Sequence, residues 1–89
     1  MNSHTTKRFR EAFGQLPDDV RERARKTFQV WQANPNHPAL KFKQIYSEKP
    51  IYSVRIGLGW RALGVKEQDT VIWFWIGSHS DHERMISQL

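Results

Sequence analysis

Residues 52–61 read YSVRIGLGWR and residues 71–77 read VIWFWIG, and these two stretches set the architecture that the sequence predicts. The first holds β-branched and aromatic residues on both sides of Gly57-Leu58-Gly59, a pattern typical of a β-hairpin. Because short connections favour antiparallel neighbours, the second stretch is expected to add the next strand. The hairpin carries two arginines, and two histidines follow the last strand.

One strand on each side of this hairpin completes the predicted sheet. Working outward, the residue patterns predict a four-stranded antiparallel meander, with strands at Leu40–Tyr46, Ile51–Ile56, Trp60–Val65 and Val71–Ile76. The last strand is apolar at both odd and even positions, as expected for a strand that is covered on each face. We therefore expect Val71–Ile76 to be central in the sheet.

Helices are predicted on both sides of the sheet segment. Thr5–Leu16 has apolar residues at helical spacing, and a second helix is expected from Pro17 to the turn-rich segment at 34–38. No clear strand precedes the first helix, and a short helix is expected near the C-terminus, with Ser78 or Ser80 as its N-cap. The predicted fold is α+β: an N-terminal helical hairpin packed on the four-stranded antiparallel sheet, with a short C-terminal helix.

Composition narrows the class of protein. The 89 residues fit one domain, residues 1–89, and 38% of them are hydrophobic, which suffices for a packed core. Absence of cysteine excludes disulfides, thiolate nucleophiles and cysteine-based zinc sites. The apolar run at 71–76 is far too short to span a membrane, and the first residues are polar. We expect a soluble, cytoplasmic protein that makes no membrane contact.

The chain is basic. Fourteen Lys and Arg against nine Asp and Glu give a net charge of +5 and a pI near 10.0. A basic surface favours encounter with polyanions, so nucleic acid is the first partner to consider. A positive surface that serves only solubility explains the same charge equally well.

Two arginines flank the predicted turn at 57–59. Strand alternation places Arg55 on the face opposite Val54, away from the main core. If the hairpin pairs its two strand ends, Arg61 lies across from or diagonal to Arg55, and both guanidinium groups can grip one phosphate. The alternative is a pair of solvated strand arginines.

Two histidines follow the last predicted strand. His79 and His82 are three residues apart and lie on one side of the closing turn. Imidazole carries protons near neutral pH, and RNA cleavage without a metal needs a base, an acid and cations for the charge on phosphorus. Capping or surface roles are the alternative. A His-x-x-His pair beside Asp81 lacks the spacing of a zinc motif, so neither a metal nor another cofactor is predicted.

The whole pattern resembles the RelE/ParE superfamily of type II toxin–antitoxin toxins. The resemblance covers nearly the whole chain: a helical hairpin, then NPNHPALKFKQI, YSVRIGLGWRALGV and VIWFWIGSHSDHERMI. In the RelE-like branch it implies cleavage of messenger RNA, usually in the ribosomal A site, and a cognate antitoxin as partner. Arg61 after Trp60 matches the family's aromatic-Arg pair, Arg55 its preceding strand cation and His79 its basic residue after the last strand.

The sequence departs from the family pattern at two points, and it offers further candidate residues for RNA binding. His82 stands where many relatives have tyrosine, and the first strand common in the family is missing or very short. Lys41 and Lys43 precede the hairpin, where they are expected to contact RNA phosphates, with Trp60 as a third RNA-binding residue. The alternative, which the sequence supports equally, is that these lysines are solvated and only discourage pairing of the strand edge with another chain. DNA is expected as a partner only through the antitoxin.

Three functions remain open from the sequence. The first is an endoribonuclease in which Arg55 and Arg61 hold the phosphate while His79 and His82 supply acid–base chemistry. The second is a ParE-like inhibitor of DNA gyrase that acts by protein binding, and the third is a degenerate member that only binds its antitoxin. The many aromatic residues suggest an exposed apolar groove for the antitoxin, with Trp31 and Trp60 as candidates.

Overall fold

The strands and helices were defined in a computed structural model, which describes residues 1–89. The chain forms five strands, three α-helices and one single-turn 3-10 helix at Pro38–Leu40. The elements are β1 (Asn2–Thr5), α1 (Lys7–Gly14), α2 (Asp18–Ala33), β2 (Lys43–Gln44), β3 (Ile51–Ile56), β4 (Trp60–Glu67), β5 (Thr70–Ser78) and α3 (His79–Gln88).

One five-stranded sheet runs in the order β1-β5-β4-β3-β2. The α+β class is confirmed, but the predicted four-stranded antiparallel sheet is wrong, because β1 adds a fifth strand and pairs with β5 in parallel. β1 therefore also precedes the helical hairpin. Its sequence, NSHT, gives no strand signal since all four residues are exposed and none is apolar. Because β1 and β4 flank β5 on its two sides, Val71–Ile76 lies in an internal strand, as expected, although β4 is the middle strand of the five.

The element boundaries follow local chemistry. Thr6 caps α1 by accepting a hydrogen bond from the Phe9 amide at 3.1 Å. Helix α2 begins after Pro17 and ends at Ala33, just before the predicted turn. Ser78 caps α3, accepting from the Asp81 amide at 3.1 Å, which confirms one of the two predicted caps.

The segment before the hairpin forms less strand than predicted. Leu40 belongs to the 3-10 turn, and Lys41 closes that turn in the left-handed conformation, with φ 48°. A residue with this φ cannot continue an extended strand. The predicted strand Leu40–Tyr46 is therefore only Lys43–Gln44, at the edge of the sheet.

A β-bulge divides β5 into two parts. Leu63 pairs with Trp75 and Gly64 with Trp73, so Phe74 has no partner on β4. An extra residue reverses the alternation of side chains along a strand. Val71 and Trp73 are buried before the bulge, and Ile76 is buried after it. This change of parity explains why the sequence is apolar at both odd and even positions.

The main core lies between the sheet and helices α1 and α2. Trp31 of α2 is fully buried there and meets Trp73 of β5 edge to face, with ring centroids 5.4 Å apart. Trp31 therefore cannot line an exposed groove, contrary to expectation. Helix α3 contacts β4 and β5. None of the helices combines the length and apolar character needed to cross a membrane. The buried core residues are Phe9, Ala24, Trp31, Leu40, Val54, Ile56, Ala62, Val71, Trp73 and Ile76.

Candidate functional site

The sheet face opposite the main core carries the polar residues that the sequence singled out. Directly paired residues on neighbouring strands lie on the same face of a sheet. One cross-strand row on this face consists of Lys43, Ser53, Leu63 and Trp75, and the next of Arg55, Arg61 and Gly77. The predicted pairing of Arg55 with Arg61 across the hairpin is confirmed.

The start of α3 is fixed beside this second row. The His79 amide donates a hydrogen bond to the Gly59 carbonyl in the β3–β4 turn, at 2.8 Å. This bond joins the first residue of α3 to the turn that separates Arg55 from Arg61. The β3–β4 turn therefore holds the capped start of α3 in place, and His79 lies next to Arg61.

Arg61 and His79 form the exposed centre of the site. Arg61 Nε donates toward His79 Nδ1 at 3.4 Å, and His79 Nε2 lies 3.8 Å from a carboxylate oxygen of Glu83. An imidazole that accepts at Nδ1 carries its proton at Nε2 when neutral. The His79 side chain is about half exposed (52%), so a substrate can reach it.

His82 lies beneath His79 and is only 5% exposed. Its ring is stacked on that of His79, with centroids 6.2 Å apart, and its Nε2 lies 3.3 Å from Ser53 Oγ. Burial lowers the pKa of His82, and the positive charge of Arg61 lowers it further, while Glu83 opposes the shift. The sequence predicted both histidines as proton-transfer groups, and in the structure only His79 is exposed.

Arg55 is half-buried and has a different environment from Arg61. Its Nε donates to the carbonyl oxygen of Gly57, two residues along, at 3.0 Å. It makes no hydrogen bond or ion pair with either histidine. Arg55 therefore supplies positive charge to the strand end, and the shared grip of both arginines on one phosphate stays a prediction.

The three secondary candidates lie in two different places. Lys43 is exposed on the edge strand β2 and, as the partner of Ser53, shares the face of Arg61. Lys41 is exposed in the preceding turn. Trp60 is partly buried against the main core, on the face opposite Arg61. Trp60 therefore lies apart from Arg61, and its predicted roles in RNA binding and in an antitoxin groove stay predictions.

The comparisons with known proteins agree with this arrangement. Residues 18–84 match the family of the ParE-like toxin domain. The chain belongs to that family. The resemblance to the RelE/ParE superfamily, read from the hairpin arginines and the final strand, is thereby confirmed. No curated protein matches the sequence of the ParE-like chain.

Solved structures show the same fold as this ParE-like chain. The RelB-RelE antitoxin-toxin complex from Methanococcus jannaschii matches with a TM-score of 0.69 and 21% identity, over 92% of this chain and 96% of that one. The RelBE2 complex from Mycobacterium tuberculosis gives 0.70 and 18%, over 88% and 96%. YafQ from E. coli gives 0.68 and 10%, over 91% and 96%.

Two residues of the ParE-like site escaped the sequence reading. Ser53 is 1% exposed, yet nothing in a strand sequence distinguishes a buried serine from a surface one. Glu83 lies four residues after His79, a spacing at which helical side chains are neighbours. That spacing is the sequence signal for Glu83, whereas Asp81 is the carboxylate closer to His79 along the chain. Asp81 instead forms an ion pair with Arg84.

Three side chains of the ParE-like site could hold a metal. One nitrogen from each of His79 and His82 and one oxygen of Glu83 all lie within 4.8 Å of one another. The prediction of no metal weighed the two histidines with Asp81 and did not include Glu83.

Proposed function

We propose that this chain is the toxin of a toxin–antitoxin pair and that it cleaves messenger RNA on the ribosome, with Arg61 and His79 as the residues that touch the scissile phosphodiester. The observation that carries the proposal is the exposed contact between Arg61 Nε and His79 Nδ1, 3.4 Å apart. It joins a permanent cation and a proton carrier at one accessible point. Membership of a toxin family supports the biological role.

The chemistry follows from what these two side chains can do. Attack by the ribose 2′-hydroxyl on phosphorus forms a 2′,3′-cyclic phosphate and breaks the P–O5′ bond, while one proton leaves the 2′-hydroxyl and another reaches the departing 5′-oxygen. The negative charge that builds on the phosphoryl oxygens is stabilised by a guanidinium through a planar pair of N–H donors. A phosphate bound by Arg61 would replace its contact with His79, leaving the imidazole free to transfer a proton. Glu83, 3.8 Å from Nε2, orients that ring.

His82 is assigned a positioning role in this scheme. It is buried between the His79 ring and Trp75, whose ring centroid lies 6.0 Å from its own. Because it does not reach the surface, it acts by fixing the plane of His79. Ser53, at 3.3 Å, holds His82 in turn.

Neighbouring cations extend the site along the RNA backbone. Arg55 lies directly opposite Arg61, and Lys43 is exposed on the same face. Phosphate contacts of this kind add affinity without reading base identity. We assign Arg55, Lys41 and Lys43 to backbone binding, and expect their loss to weaken binding uniformly across sequences.

The proposed partner is a cognate antitoxin. The M. jannaschii and M. tuberculosis neighbours are described as toxin–antitoxin complexes, which supports the same pairing here. Contact with DNA would then arise through the antitoxin. The basic surface that would attract RNA also suits an acidic antitoxin segment, so the antitoxin is expected to compete with RNA.

A second candidate is a toxin that acts by binding a protein target, such as DNA gyrase, without catalysis. Burial of His82 favours it, because the site then offers one exposed imidazole instead of the two that the nuclease reading assumed. A single proton carrier is a weaker catalytic set than a pair.

Inducible expression in bacterial cells separates these functions. Wild type is compared with Arg61→Ala and His79→Ala, and with Arg8→Ala and His4→Ala as matched controls, since both control residues are exposed and lie on α1 and β1. Primer extension on abundant messages is measured beside plasmid supercoiling, with immunoblots to equalise protein levels. We expect growth arrest with new message cuts, lost in the two site variants and kept in the controls.

Each other outcome contradicts part of the proposal. Arrest with intact messages and impaired supercoiling replaces the nuclease with the gyrase inhibitor. Message cuts that persist in Arg61→Ala and His79→Ala remove the site from the mechanism. Absence of arrest at matched protein level leaves only antitoxin binding.

A further inference from the structure

We infer that α3 carries a binding site for a divalent transition metal, formed by His79, His82 and Glu83. The three side chains occupy one turn of the helix at spacings i, i+3 and i+4, which places them on one face. Their candidate ligand atoms lie within 4.8 Å of one another. Two imidazoles and one carboxylate form the donor set that zinc takes in open sites with a water in the fourth position.

His82 supplies an independent reason to expect a ligand. It is one of only two buried polar side chains in the protein, and its Nδ1 has no hydrogen-bond partner. Buried polar atoms without partners are rare in folded proteins, so each calls for an explanation. Ser53 occupies Nε2 at 3.3 Å, which leaves a ring nitrogen unused. A metal could coordinate the ring nitrogen of His82 that no protein group contacts.

The other two ligands can adjust to a metal. Bond lengths near 2.1 Å require ligand atoms to approach within roughly 3.5 Å of one another. His79 and Glu83 are exposed, with Nε2 and Oε1 already 3.8 Å apart, and small rotamer changes close the remaining distance. His82 is fixed by packing, so the site combines one rigid ligand with two movable ones.

The chemistry of the donors selects the class of metal. Imidazole nitrogen suits Zn²⁺, Ni²⁺ and Cu²⁺, whereas Mg²⁺ and Ca²⁺ prefer all-oxygen sites. Glu83 offsets part of the cation's charge. Arg61 opposes binding, because its guanidinium lies next to His79 and repels a second positive charge. A metal on Nε2 would also leave the ring proton on Nδ1, which then cannot accept from Arg61, so the metal and Arg61 compete for the His79 ring.

Binding of the metal does not depend on RNA cleavage. If the proposed function also holds, a metal on His79 removes the proton carrier from the reaction and silences the site. That consequence rests on the proposed function, whereas the binding site itself is tested without any activity assay.

Isothermal titration calorimetry of the untagged, chelator-treated chain with ZnCl₂ tests the site. We expect saturable binding of one zinc ion, with affinity at least about tenfold lower in His79→Ala and in Glu83→Gln, since even outer-shell changes cost that much. His4→Ala and Glu11→Gln are the matched controls, being exposed residues of the same types on β1 and α1, and their affinity is expected to stay within about twofold of wild type.

Two further measurements distinguish loss of the metal site from misfolding of a variant. Zinc should raise the melting temperature of wild type but not that of Glu83→Gln, because a ligand stabilises only a fold that binds it. Arg61→Gln, which removes the competing charge, should bind zinc about three- to tenfold more tightly at low salt. Absence of saturation at millimolar zinc would overturn the inference, as would equal affinity in wild type, His79→Ala and Glu83→Gln.

Discussion

Gly64→Ala is expected to destabilise the fold through a steric clash at the β-bulge. Gly64 lies on β4 opposite Trp73, at the point where the register of β5 changes. A Cβ built there would lie 2.5 Å from Val71 Cγ1 and 2.8 Å from Trp73 Cε3. Carbon atoms in favourable contact are about 3.5–4.0 Å apart. Both neighbours are buried, so each must move by about 1 Å within a packed core.

The size of the effect follows from two opposing contributions. Overpacking a core costs about 1–3 kcal/mol, while replacing glycine restricts the unfolded chain and recovers about 0.4–1 kcal/mol. From the middle of both ranges, the net loss in the free energy of unfolding is about 1–2 kcal/mol. For a domain of this size that lowers the melting temperature by roughly 4–16 °C.

Urea denaturation and thermal melting measure this loss, with Gly59→Ala as the matched control. A Cβ at Gly59 meets no atom within 4 Å, and Gly59 does not adopt a positive φ. Its stability change is expected to stay within about 0.5 kcal/mol. Equal stability of Gly64→Ala and Gly59→Ala would show that Val71 and Trp73 relax freely, and would refute the account of the bulge as a tightly packed junction.

Two smaller effects complete the predictions. Because the pKa of His82 is lowered in the fold, the unfolded chain takes up its proton first, so in the presence of a chelator stability should fall as pH drops from about 7.5 to 5.5. Urea midpoints should depend less on pH in His82→Gln, and an unchanged slope would contradict the assignment. Ser78→Ala, which removes the N-cap of α3, should cost about 1 kcal/mol in thermal melts, whereas Ser80→Ala should cost little; equal losses would contradict the cap.

Local patterns predicted most of the fold. The hairpin glycines, the turn at 34–38 and the cap at Ser78 each act through nearby backbone chemistry, and the elements around them lie where the sequence placed them. Strand β1 was missed because its order comes from pairing with β5, about 68 positions away, and not from its own residues. The bulge was missed because an unpaired Phe74 looks like any other strand aromatic.

The sequence predicted which residues of the candidate site lie together, but not how deeply each is buried. The sequence predicted Arg61 across from or diagonal to Arg55, because a short turn leaves few ways to pair two strands, and the two residues pair directly. Helical spacing brought His79 and His82 together. Their difference in exposure was not predictable, since it depends on Ser53 and Trp75, which approach His82 from the sheet.

The parallel pairing of β1 with β5 has a consequence for the order in which the chain folds. The β3–β4–β5 meander closes only short loops, whereas β1 must bring together segments separated by almost the whole sequence. Loop closure of that length costs more entropy and contributes most to contact order. We expect the meander to form first and β1 to dock last. Until β1 docks, the outer edge of β5 has no partner strand. A chain that is still folding would therefore expose the edge of its most apolar strand.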